Sequence, residues 1–173
     1  MANVNSPGIG AGAAYASSTT ATDVSPLPQF MSQTFGQMYV GQRWRLSAWG
    51  IYSNTSTPAL TVGFYYGGAA AGTLLAATPS ITTTTAASSW PWEAELKLEV
   101  RSIGSSGSVW CKGWFDNPTS LTAFTRYGMP ATQTQPITVN TTTNSSLTVA
   151  ATWGTSSSSN TLTCEGWQIE QMN

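Results

Sequence analysis

A chain of 173 residues with a net charge of −1 and only 8% charged side chains has no field with which to gather nucleic acid or anionic lipid. It contains no histidine, against 27 Thr, 22 Ser and eight Trp, which excludes histidine-based catalysis and the commonest metal-ligand sets. With 40% hydrophobic residues it can bury a core as one domain, so disorder along the whole chain is excluded as well.

Residues 1–38 read as an extended N-terminal arm. They hold one charge, Asp23, and the run Ser25-Pro26-Leu27-Pro28. Two prolines so close break both a helix and a central strand. Isolated apolar residues recur at Ile9, Tyr15, Phe30, Met31 and Phe35. Such a segment is too poor in apolar surface to fold alone, so these five are its candidate attachment anchors, on its own domain or on a neighbour. Residues 1–7 lack the basic and apolar regions of a secretory signal, and no stretch approaches the ~20 apolar residues of a membrane span. Synthesis in a cytosol is expected.

From Tyr39 onward the pattern is strands and turns. Residues 43–50 alternate, with Trp44, Leu46 and Ala48 on one face and Arg43, Arg45 and Ser47 on the other. Residues 60–66 form a strand closed by Gly67-Gly68, and residues 74–77 a short one. Residues 81–89 are an uncharged loop or edge. The clearest strand covers 93–101, with Glu93, Glu95, Lys97, Glu99 and Arg101 on one face and Ala94, Leu96, Leu98 and Val100 on the other. A turn at 104–107 leads to a strand over 108–114. Asn117-Pro118 is expected to open a loop that includes Phe124, Tyr127 and Met129. Residues 146–153 and 161–169 read as a closing hairpin. About eight antiparallel strands without a helical period predict an all-β sandwich or barrel over residues 39–173. A chain beginning near Gln37 is therefore expected to stay folded.

Three constellations bear on chemistry. Glu93, Glu95 and Glu99 place three carboxylates on one strand face, where neighbours at i and i+2 lie roughly 6.5–7 Å apart. That overlaps the ~6.5–9.5 Å separation of inverting glycosidases and loosely resembles the strand motif of jelly-roll endoglucanases. Lys97 interrupts the row, and the plainer reading is a solvated face of alternating charge. The second is Trp90 and Trp92 at a strand entrance with Trp110 and Trp114 on the next strand. These four fill a core, meet a subunit, or stack on a glycan. The third is Cys111 and Cys164, 53 positions apart, which match no zinc pattern and read as reduced, packed thiols. The acceptor-like triplets at Asn54, Asn140 and Asn144 read as chance in so Ser- and Thr-rich a chain. No cofactor is implied by any of these.

Several segments carry a family likeness. They are Val40-Gly-Gln-Arg-Trp-Arg-Leu-Ser-Ala-Trp-Gly-Ile-Tyr-Ser53, Thr57-Pro58 with Val62-Gly-Phe-Tyr-Tyr-Gly-Gly68, and Trp90-Pro-Trp-Glu93. Others are Arg101-Ser-Ile-Gly-Ser-Ser-Gly107, Leu147-Thr-Val-Ala-Ala-Thr-Trp-Gly154, Asn160-Thr-Leu-Thr-Cys164 and Ile169-Glu170. In order and texture they resemble the jelly-roll head-decoration and spike proteins of tailed bacteriophages, of the type found in phages of actinobacteria. The resemblance spans residues 40–173 and includes no catalytic signature. It implies a jelly-roll β-sandwich, a homotrimer, and a non-enzymatic virion structural protein that decorates or cements a capsid surface. The implied partners are further copies of the chain and the major capsid protein or another virion protein, without nucleic acid or membrane. The alternative is a tail-associated receptor- or carbohydrate-binding module directed at a host-surface glycan.

Overall fold

The computed structural model describes residues 4–5, 15–16, 18–24, 38–143 and 145–172, the first two pairs through their backbone alone. Of the expected arm anchors, Ile9, Phe30, Met31 and Phe35 lie outside the described residues, and Tyr15 is placed only by its strand pairing. No helix occurs among the described residues, and so none long and apolar enough to cross a membrane.

The strands are β1 (Val4–Asn5), β2 (Tyr15–Ala16), β3 (Thr22–Asp23), β4 (Arg43–Ser53), β5 (Ala59–Tyr66), β6 (Thr73–Ala77) and β7 (Ile81–Thr82). They continue with β8 (Trp90–Ser102), β9 (Gly107–Ser120), β10 (Ala123–Met129), β11 (Ile137–Val139), β12 (Leu147–Trp153) and β13 (Thr161–Gln171). Every pairing is antiparallel. The larger sheet runs β1-β13-β4-β8-β9-β10, with β2 also on β13 and β11 also on β9; the smaller runs β3-β12-β5-β6, with β7 also on β5. Their inner faces share one core, so the expected all-β sandwich is present. A jelly roll requires Greek-key crossings between sheets. The pairs β4–β13 and β5–β12 join strands far apart in sequence, whereas β8, β9 and β10 form a meander within one sheet.

The two-residue alternation works as expected in β4 and β8. Trp44, Leu46, Ala48 and Tyr52 point inward from β4; Trp92, Ala94, Leu96, Leu98 and Val100 point inward from β8. The inward Ala and Gly positions leave room that large rings fill, which is why Trp44, Trp92, Trp153 and Trp167 are all core residues. Cys111 and Cys164 are free and buried there, and burial pushes both thiols up to about 12. Asn54 is buried and bonded through its side chain to Thr83 and Ala87, which suits a core corner and not a glycan acceptor.

Two expectations are corrected. The strand expected to end at Trp114 continues to Ser120, and the expected loop is strand β10 paired along it from Met129↔Gly113 to Ala123↔Ser120. Pro118 is tolerated because β9 has by then run past its last pair with β8, Glu93↔Asp116. Residues 146–169 are not a hairpin: β12 lies in the smaller sheet against β5, and β13 in the larger against β4. β12 is buried at almost every position, so both of its faces are covered and it sits within the sandwich rather than at an edge. Residues 18–24, within the expected arm, lie extended on the chain's own sandwich, paired into the smaller sheet. Val24 is a core residue, its N–H donates to Val149 at 2.8 Å, and Asp23 accepts from Ala69 N–H at 3.0 Å and Thr148 Oγ1 at 2.6 Å.

Candidate functional site

The inner face of the larger sheet is core, so its chemistry is on the outer face. Outward positions of β4, β8, β9 and β10 fall into cross-strand rows set by register. One row reads Gly166, Trp49, Glu93, Asp116, Arg126, each facing the next on the neighbouring strand. The adjacent row toward the β8 C-terminus holds Ser47, Glu95, Trp114 and Gly128. On the other side lie Ile51 facing Pro91, and Pro118 facing Phe124. Trp49, Pro91, Glu93, Asp116 and Phe124 together line a shallow groove of about 320 Å³.

Local geometry fixes these side chains. The pairing of β13 with β4 shifts register between Cys164 and Gly166, a β-bulge. A Cβ added at Gly166 would stand 2.5 Å from the Trp49 ring, so the indole lies directly over the glycine. One ring face is on the sheet, and Trp49 remains 43% exposed. On the opposite wall Arg126 donates from Nε and Nη2 to the two Asp116 oxygens, each at 2.7 Å. Its guanidinium also stands 3.9 Å from the centre of the Trp114 ring. Asp116 holds Arg126 above its ordinary pKa. This clamp ties β10 to β9 and keeps Trp114 partly covered.

Two of the three acids on the outer face of β8, Glu95 and Glu99, are engaged with cations. Glu99 accepts from Arg43 at 2.9 Å and from Arg101 at 3.0 Å, and the Arg43 hydrogen bond, with Arg101 adding to it, holds the Glu99 carboxyl below its ordinary range. Glu95 lies 3.7 Å from Lys97, and Arg45 pairs with Glu170. A carboxyl held ionised in this way is the opposite of a general acid. Among the described residues no group of three His, Cys, Asp or Glu is placed to hold a metal ion.

The four tryptophans do not form one platform. Trp92 is a core residue that donates from Nε1 to the Ile51 and Thr163 carbonyls. Trp90 packs edge-on against Tyr52 at the core margin, 6.2 Å between ring centres. Trp110 and Trp114 point outward, but Trp110 is near the far end of the sheet, opposite Glu99. Sequence reasoning missed Trp49 and Phe124. Trp49 followed the alternation of β4 and was readable as outward; nothing local placed it beside Asp116, 67 positions later. Phe124 was assigned to a loop.

A second hollow, of about 230 Å³, lies between Arg43, Trp44, Lys97, Glu99, Trp110 and Met172. It belongs to an end of the sandwich where exposed apolar side chains border the Arg43–Glu99–Arg101 ion pairs. There Tyr39, Val40, Ile103, Trp110 and Met172 are all exposed, brought together by the Gly41 N–H to Val100 bond, the Met172 N–H to Arg43 bond and the Glu99↔Trp110 pair.

In comparisons with known proteins, no family model matches the chain, and neither a curated protein nor a solved structure matches it.

Proposed function

We propose that the protein is a non-enzymatic structural component of a bacteriophage virion, made in the host cytoplasm, that decorates or cements the capsid surface. The observation that carries this reading is the end where Tyr39, Val40, Ile103, Trp110 and Met172 are exposed together. Exposed apolar surface gathered at one end of a sandwich suits a contact between protein subunits. The resemblance over residues 40–173 supplies the kind of assembly: a homotrimer seated on the major capsid protein or another virion protein. The cation-engaged carboxylates of β8 support a structural over a catalytic role for that strand.

Two measurements test the proposal. Cryo-electron microscopy of the whole virion should show sandwich density on the capsid; density on the tail alone overturns the capsid assignment. Sedimentation velocity at micromolar concentration should give a trimer that Val40→Asp or Trp110→Asp dissociates. A stable monomer that capsid shells leave unchanged counts against it.

A further inference from the structure

We propose that the groove on the outer face of the larger sheet binds a neutral oligosaccharide, with Trp49 as its stacking platform. A pyranose ring presents apolar C–H faces and hydroxyl edges, and this groove carries the complement of each. Trp49 is laid over Gly166 with one indole face toward solvent, and Phe124, 63% exposed, stands on the same groove. Between them stands Glu93, an exposed acceptor for hydroxyl protons, facing in register Asp116, which is buried and held by Arg126. Flat aromatic surface with a few placed polar groups is the usual composition of a small-ligand site, and about 320 Å³ is at the lower end of its size range.

The geometry also sets the shape and charge of the occupant. The row from Trp49 to Arg126 crosses four strands, and strands lie about 4.7–4.9 Å apart. The row is therefore an elongated strip about 14 Å long, suited to a short run of rings rather than a single one. In the strip itself Glu93 and Asp116 face one cation, Arg126, which Asp116 already occupies, while Glu95 in the next row is paired with Lys97. A polyanion is repelled by such a strip, whereas a chain of hydroxyl donors is accepted. A protein partner is disfavoured because ionised groups occupy the centre of the strip, where protein interfaces are depleted of charge. This inference is independent of the virion reading and is tested on the purified chain.

The test is affinity electrophoresis of the full-length protein in native gels containing mannan, a soluble β-1,3-glucan, xylan or dextran, with polygalacturonate as the acidic control. At least one neutral gel should retard the protein, and polygalacturonate should not. Trp49→Ala and Phe124→Ala should each weaken that retardation at least tenfold, Glu93→Gln several-fold, and Thr82→Ala, on the smaller sheet, not at all. Phe124 is exposed enough that its removal leaves the fold intact, which circular dichroism checks. The proposal is overturned by any of three results. These are no retardation in the four neutral gels, equal retardation in polygalacturonate, or retardation that both aromatic variants leave unchanged. A Trp49→Ala chain that alters sedimentation but not retardation places a protein partner there instead.

Discussion

Leu98 and Glu95 project from the same strand to opposite sides, and their energetics differ accordingly. Leu98 is 3% exposed in the core. Leu98→Ala removes buried methyl groups and leaves a cavity, so it should cost ~2–5 kcal/mol in chemical denaturation. Glu95 is partly buried, its side chain 18% exposed, but it pairs only with the exposed Lys97 at 3.7 Å and Gln has the same shape, so Glu95→Gln should change stability by less than about 1 kcal/mol. Two glycines make a second contrast. A Cβ at Gly113 would overlap the Glu95 carbonyl oxygen, while one at Gly128 meets nothing within 4 Å. Gly113→Ala should force β9 away from β8 and lower the urea midpoint sharply. Gly128→Ala should leave it equal or raise it slightly, because a side chain there only restricts the unfolded chain. Equal effects of the two would contradict the close approach.

Among the elements, β3 and β10 depart furthest from what local pattern suggests. β3 is two residues long and weak by composition. It is held by the Asp23 contacts, by Val24 in the core and by the Trp153 N–H to Ser18 bond at 3.0 Å. A chain beginning at Ser18 should keep these anchors, whereas one beginning at Met38 loses them. The shorter chain should therefore fold with a clearly lower urea midpoint; identical midpoints would show that β3 contributes nothing. β10 is exposed at most of its positions, and only Tyr127 and Met129 near its end pack against the core. It is a strand because its backbone pairs with β9 and because Arg126 reaches Asp116, which is why its sequence reads as a loop. β8 is the opposite case: alternation over its whole length leaves one possible register face.

For the molecule as a whole, the titratable groups divide into a quiet middle and a steep alkaline limb. With no histidine, no side chain changes charge on its ordinary pKa between about pH 6 and 8, so stability should be nearly flat there. Burial pushes Tyr52, Tyr66, Cys111 and Cys164 up to about 12, from ordinary values of 10.0 for tyrosine and 9.0 for cysteine. A raised pKa means that the folded chain holds these protons more tightly than the unfolded one. Their contribution is complete below pH 9, and it is lost as the pH climbs toward 12, because the unfolded chain ionises first. Urea midpoints should fall progressively from about pH 9. A chain with Cys111→Ala and Cys164→Ala, weaker throughout, should not begin its fall until about pH 10. A midpoint unchanged up to pH 11 contradicts this account.

The alternation of Trp44, Leu46 and Ala48, and of Leu96, Leu98 and Val100, settles strand, face and fold class within a few residues. The reason is that the side-chain period of a strand is local. The lack of histidine is likewise complete in the sequence. Which strand lies beside which is a different matter. β12 and β13, adjacent in the chain, part into separate sheets, and Trp49, Glu93, Asp116 and Arg126 become one row from four strands. Register between distant strands depends on the whole core closing at once, so only the tertiary structure placed an open indole in one row with two carboxylates and turned Trp92 into the core beneath the groove.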